Sequence, residues 1–176
     1  MKQVLILQGW PQKTTSHWYP WLKKQLEKKG YQVFLPAIPT MYTKHPHMPT
    51  QIKYLESLLK IDKETVIIGH SLGTQLAMRL AERHAYKTMI LVGGWDFNDL
   101  TAGIESFWSK PLNHKKIIQN TSIRYVIHSD NDPYVTKLIA GDMAGRLKAE
   151  FVFITKGGHF MDSDGYKQFP KLLKLI

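Results

Sequence analysis

A regular alternation of short apolar runs with segments of helical period restricts the fold more than any other feature. The runs are Val4–Gln8, Tyr31–Leu35, Thr65–Ile68, Thr88–Val92, Ile123–His128 and Phe151–Thr155. Most are nearly unbroken in apolar character, as a strand must be when helices cover both faces of its sheet. Between them the spacing predicts a helix from about His17 to Lys29, capped by Ser16 and carrying Trp18, Trp21, Leu22 and Leu26. A second, capped by Thr50, carries Ile52, Leu55, Leu58 and Leu59. A third follows Ser71 to about His84, with Leu72, Leu76, Ala77, Leu80 and Ala81 in one stripe. Further helices are expected near Tyr134–Lys148 and Tyr166–Leu175. Residues 40–48 read as a loop. Residues 93–122 form a long irregular stretch bearing Trp95, Phe97, Phe107 and Trp108, of the kind that makes a small lid or binding loop. The pattern predicts an α/β fold: about six parallel strands in a three-layer sandwich, helices on both faces.

Composition narrows the function. The 176 residues suit one domain, 1–176, with a proper core. No apolar run approaches the roughly 20 residues of a membrane span. The opening MKQVLILQGWPQ reads as a strand rather than a secretory leader, so the expected location is cytoplasmic. The absence of cysteine excludes disulfides, thiol nucleophiles, thiolate metal sites and iron–sulfur clusters. The net charge of +10 comes mainly from lysines such as Lys23-Lys24 and Lys28-Lys29, whose spacing fits a solvated helix face. Arginine, the usual base reader, is scarce and no nucleic-acid module is visible, so no specific nucleic-acid partner is expected. GWPQKT lacks the dinucleotide pattern and no phosphate loop occurs. His45-Pro46-His47 has no further ligands beside it, so neither a metal nor a cofactor is expected.

Gly69-His70-Ser71-Leu72-Gly73 satisfies G-x-S-x-G, with a buried strand before it and an amphipathic helix after it. On such a tight turn the serine oxygen projects above the sheet edge, beside a helix N-terminus that favours developing negative charge. A serine nucleophile needs a base and a group to orient it, here in the chain order Ser, Asp or Glu, His. The fifth strand runs into Ser129-Asp130-Asn131-Asp132-Pro133, and the sixth into Gly157-Gly158-His159-Phe160. His159, aimed by a loop after two glycines, is the base. Asp132, opening a turn into a helix, is preferred as its partner over Asp130, which sits nearer the strand and suits a bracing role. Asp162 and Asp164 read as turn polarity, His70 as pointing away from the chemistry, and His17, His84 and His114 as surface residues. The oxyanion donors expected are the backbone N–H groups of Leu72 and Trp10. Gly9, Trp10, Trp95 and Trp108 are the candidate pocket residues.

These stretches carry a resemblance. IIGHSLGTQLAMRLAE, SHWYPWLKKQLEKKG, SDNDPYV and GGHF, in order across nearly the whole chain, resemble the alpha/beta-hydrolase superfamily. More narrowly, they are similar to the small serine hydrolases grouped with YdeN and retinoblastoma-binding protein nine. The resemblance implies a minimal alpha/beta-hydrolase fold with little or no cap, and Ser71, Asp132 and His159 as nucleophile, acid and base. The first-strand loop, QGWPQKT, departs from the longer glycine-rich form, and the retinoblastoma-binding L-x-C-x-E motif cannot exist without cysteine. A retinoblastoma-type partner is therefore not predicted. The expected activity is hydrolysis of small-molecule carboxylic esters or amides through an acyl-enzyme. The alternative is a non-catalytic interaction module that retains the fold.

Overall fold

The structure, a computed structural model, describes residues 2–176. Six parallel strands form one sheet: β1 (Gln3–Leu7), β2 (Gln32–Phe34), β3 (Val66–His70), β4 (Tyr86–Val92), β5 (Thr121–Ser129) and β6 (Glu150–Ile154). Their order across the sheet is β2-β1-β3-β4-β5-β6. The α-helices are α1 (Tyr19–Lys28), α2 (Met48–Leu58), α3 (Gly73–Ala81), α4 (His114–Asn120) and α5 (Lys137–Leu147).

Strand side chains alternate between faces, and the apolar runs serve both. Leu5, Leu7, Ile67, Met89 and Leu91 pack with α2, α3, α4 and α5, whereas Val4, Ile6, Ile68, Ile90 and Val92 pack with α1 and the C-terminal turn. Every residue of α3 is buried, including Arg79. Helix α1 presents Tyr19, Leu22 and Leu26 to the sheet and leaves its lysines outward. Among the described residues no helix is long and apolar enough to cross a membrane.

Several expected boundaries move, for local reasons. Ser16 does not cap α1: its Oγ turns back to accept the Lys13 N–H, 3.1 Å, and the helix starts at Tyr19 with Pro20 in its first turn. Proline suits that position because its missing N–H would have no helical partner. Helix α2 likewise starts before Thr50, at Met48, with Pro49 following. The expected terminal helix is reduced to a 3-10 turn at Pro170–Lys174, since Pro170 removes a donor and keeps Phe169 out of helical backbone. The stretch 93–122 contains α4, capped where the Asn113 side chain accepts the Lys116 N–H at 3.0 Å.

Candidate active site

Strand β3 ends at His70 and α3 begins at Gly73, so the reversal falls on Ser71 and Leu72. Ser71 has φ 51°, a left-handed conformation that costs a non-glycine residue of order 1–3 kcal/mol. Hydrogen bonds hold it there. Its N–H donates to Val92 O at 2.9 Å, and its carbonyl accepts the Thr74 N–H at 3.0 Å and Thr74 Oγ1 at 2.6 Å. Both glycines of the motif are required by space. A β-carbon at Gly69 would lie 2.5 Å from Gly73 O, and one at Gly73 would strike the Leu7 carbonyl.

The loops after β5 and β6 are stitched to each other. His159 Nδ1 lies 2.7 Å from Asp132 Oδ2, with both side chains almost wholly buried. Asp132 Oδ1 accepts the N–H groups of Tyr134 and Val135, at 2.9 and 3.1 Å. An ionised Asp132 can only accept, so His159 Nδ1 is the donor and Nε2 is left for other chemistry. Asp130 Oδ1 accepts the Lys156 N–H at 2.6 Å, bracing the loop. Asn131 Oδ1 accepts the Gly158 N–H at 2.8 Å, and Ser129 Oγ donates to Gly158 O at 2.5 Å. Asp164 does more than supply turn polarity. Its Oδ2 accepts the N–H groups of both His159 and Met161, each at 3.0 Å.

Ser71 and His159 both line one cavity of about 440 Å³, walled by Trp10, Trp95, Phe97, Ile104, Tyr134 and Met161. Trp10 is anchored by its ring Nε1, which donates to Thr43 O at 2.9 Å. The turn and loop hydrogen bonds engage neither the Leu72 nor the Trp10 N–H. The expectation for Trp108 needs correction: it packs against Trp95 at a tilt, ring centroids 6.4 Å apart, outside the cavity lining. Gly9 also does not line the cavity, although a β-carbon there would fall 2.8 Å from Ser71 Cβ.

Three further histidines lie close to the pair, and one of them corrects an expectation. His17 is not a surface residue. Its side chain is 8 % exposed, its Nδ1 accepts the Asp162 N–H at 3.0 Å, and its ring meets that of His70 edge-on at 5.7 Å. Burial lowers its pKa, partly offset by Asp162. His70 is fully buried, and burial, reinforced by nearby His159, pushes its pKa well below the ordinary value. His128 lies with Nδ1 3.9 Å from Asp132 Oδ2, and burial lowers its pKa as well. Helical spacing assigned His17 to a helix end, and only its position in the quoted SHWYPW stretch connects it with the site.

The segment covering the cavity is pinned at both ends. Asp96, with no exposed side-chain surface, accepts from Arg146 at 2.8 and 2.6 Å and pairs with His114 at 2.7 Å. Arg79 of α3 pairs with Glu82 at 3.0 Å and donates to the carbonyls of Phe107, Lys110 and Pro111. Glu82 in turn accepts the Asn113 N–H at 2.7 Å.

A parallel sheet of this order, with the loops from its carboxyl edge gathered around a serine-bearing turn, is the alpha/beta-hydrolase fold. The chain belongs to the serine hydrolase family, whose sequence profile matches residues 4–176. It is 30% identical to YdeN of Bacillus subtilis over 178 aligned residues, covering 96% of this chain and 91% of YdeN. It is also 30% identical to the serine hydrolase RBBP9 of Rattus norvegicus, over 92% of this chain and 86% of that protein. The crystal structure of B. subtilis YdeN is similar with a TM-score of 0.90, covering 99% of this chain and 96% of that one. An alpha/beta hydrolase from the sediment metagenome of a Moroccan lagoon shares the fold at a TM-score of 0.76 and 19% identity, over 98% of this chain and 89% of that one.

Proposed function

We propose that this hydrolase cleaves carboxylic esters, and amides more slowly, through Ser71, His159 and Asp132. The observation that carries the reading is the 2.7 Å His159–Asp132 pair beside a left-handed Ser71, with base and serine lining the same cavity. His159 Nε2 takes the Ser71 Oγ proton as the oxygen attacks the substrate carbonyl. Asp132 keeps the proton on Nδ1 and stabilises the imidazolium that forms. The N–H groups of Leu72 and Trp10 hold the oxyanion. Collapse breaks the bond to the leaving alcohol, which receives the proton from His159, and leaves Ser71 acylated. Water, deprotonated by His159, then releases the acid and restores the serine. The whole reaction is assigned to one domain.

The cavity bears on the acyl group. At about 440 Å³, with tryptophan, phenylalanine, isoleucine and methionine in its wall, it suits an apolar acyl group of moderate size. A panel of p-nitrophenyl esters from acetate to palmitate tests this, with Ser71→Ala as control. Turnover of short and medium esters that disappears in the variant is expected. No turnover of any ester or amide, or equal turnover by Ser71→Ala, would overturn the reading. Activity confined to the longest chains would overturn the assignment of the acyl site.

A further inference from the structure

Beneath the cavity a buried chain of polar atoms joins three loops. The Gly9 N–H donates to Tyr19 Oη at 3.3 Å, Tyr19 Oη lies 2.5 Å from His70 Nδ1, and His70 Nε2 lies 2.8 Å from the carbonyl oxygen of His159. Tyr19 and His70 have no exposed surface. We propose that Tyr19 and His70 are positioning residues that lock the Gly9–Trp10 loop to the backbone of His159. The inference rests on the hydrolytic reading above only where it concerns rate.

The proton positions follow from the partners. A carbonyl oxygen can only accept, so His70 Nε2 carries a proton. Nδ1 is then the acceptor in a neutral ring, and the Tyr19 hydroxyl is its donor. Burial raises the Tyr19 pKa, which keeps that proton in place. The hydroxyl oxygen is left to accept from Gly9, so every donor in the chain has one acceptor. Protonating Nδ1 would turn two donors toward each other. The titratable groups around the ring are His17 edge-on, His159 at a ring separation of 5.1 Å and Tyr19, with Asp162 reached through His17. Trp18 packs at 5.7 Å. His70 is thereby held as a neutral, single tautomer next to the histidine that must become cationic during the reaction.

The positions of these atoms give the chain its consequence. Gly9 N belongs to the peptide immediately before the Gly9–Trp10 peptide, whose N–H is the proposed second oxyanion donor. His70 directly precedes Ser71, and His159 is the proposed base. Displacing any link moves donor, nucleophile and base relative to one another. Misplacement by a fraction of an ångström to one ångström costs about 10- to 100-fold in rate. Tyr19 does not line the cavity, so its loss leaves the substrate contacts untouched.

Two measurements on the intact chain test the proposal. Long-range proton–nitrogen spectra of the wild type, recorded from pH 8 to 5, should show His70 as the neutral Nε2-protonated tautomer throughout. Tyr19→Phe should free Nδ1 of its hydrogen bond and shift that nitrogen's resonance toward an unbonded imidazole nitrogen, while burial keeps the ring neutral. A wild-type His70 that is Nδ1-protonated, or that titrates like an exposed imidazole, overturns the proposal whether or not any ester is cleaved. In steady-state assays on a medium-chain p-nitrophenyl ester, Tyr19→Phe should lower kcat about 10- to 100-fold with KM within about twofold, and His70→Phe, at a residue that also borders the cavity, should lower kcat at least as much. His70→Gln, which keeps a donor at the Nε2 position, should recover most of the loss. Wild-type kcat in Tyr19→Phe, or no advantage of His70→Gln over His70→Phe, would also overturn it. If His70→Phe fails to fold, the wild-type spectra and Tyr19→Phe decide.

Discussion

Around Ser71 and His159 the loops are joined by neutral hydrogen bonds and by carboxylates that accept backbone N–H groups. The segment over the cavity is held largely through charged side chains, with Ile104 and Phe107 buried beneath it. Asp96 with Arg146 and His114 fixes its start, and Arg79 with Glu82 fixes its end. Between these anchors Phe97 is 41 % and Leu100 85 % exposed. Hydrogen bonds to the main chain fix atoms to fractions of an ångström, as bond-making geometry demands. The anchors secure the segment but leave residues 97–101 exposed to meet substrates of different shape. On this account reaction geometry and acyl selection are separable, and variants in the two regions should fail differently.

The largest difference is expected at the reacting groups. Ser71→Ala and Asp132→Asn should each lower kcat by about 10⁴ or more in steady-state assays, with melting temperatures close to wild type. If either keeps a tenth of the activity, the chemistry does not belong to this region. Next comes the anchor of the cover. Arg79→Met leaves Glu82 buried without its cation and frees the carbonyls of 107, 110 and 111, so urea denaturation should show a loss of about 3–5 kcal/mol. A neutral result would mean that the segment is held by its apolar contacts alone.

Acid sensitivity should come from beneath the cavity. The folded-state pKa of His70 lies well below its ordinary value of 6.5, so below that pH the unfolded chain binds the extra proton. Stability therefore falls as pH drops through the window below about 6.5, by up to ~1.4 kcal/mol per pH unit for this group. His17 and His128 act in the same direction. Melting at pH 7.5 and 5.5 checks this, and the decline should be shallower in His70→Gln. The smallest effect is expected at the cover's exposed middle. Phe97→Ala should raise KM for medium-chain esters about three- to tenfold while kcat holds. A fall in kcat with constant KM would show that the two regions are not separable.

The same contrast explains what the amino-acid order disclosed. Apolar runs and helical stripes report burial, so the strands, their parallel arrangement and α3 were legible. The G-x-S-x-G turn was legible because Gly69 and Gly73 each answer a steric demand. Asp132 and His159 followed from chain order, and the structure brings them within 2.7 Å. The Tyr19–His70 chain was not legible, because it joins residues 51 positions apart, Tyr19 lies outside the stripe of Trp18, Trp21, Leu22 and Leu26, and the turn geometry points His70 away from the chemistry. Asp96 was hidden for a similar reason: its partner Arg146 lies 50 positions away. Trp108 shows the converse error, since an aromatic in a loop signals burial but not which side of Trp95 it occupies.

The central claim is that Ser71 is the nucleophile, and covalent labelling tests it most directly. Wild-type protein treated with a fluorophosphonate should gain one adduct, and peptide mass spectrometry should place it on Ser71. Ser71→Ala should gain none, and Asp132→Asn should label far more slowly. An adduct on another residue, equal labelling of Ser71→Ala, or no labelling of the wild type would contradict the account.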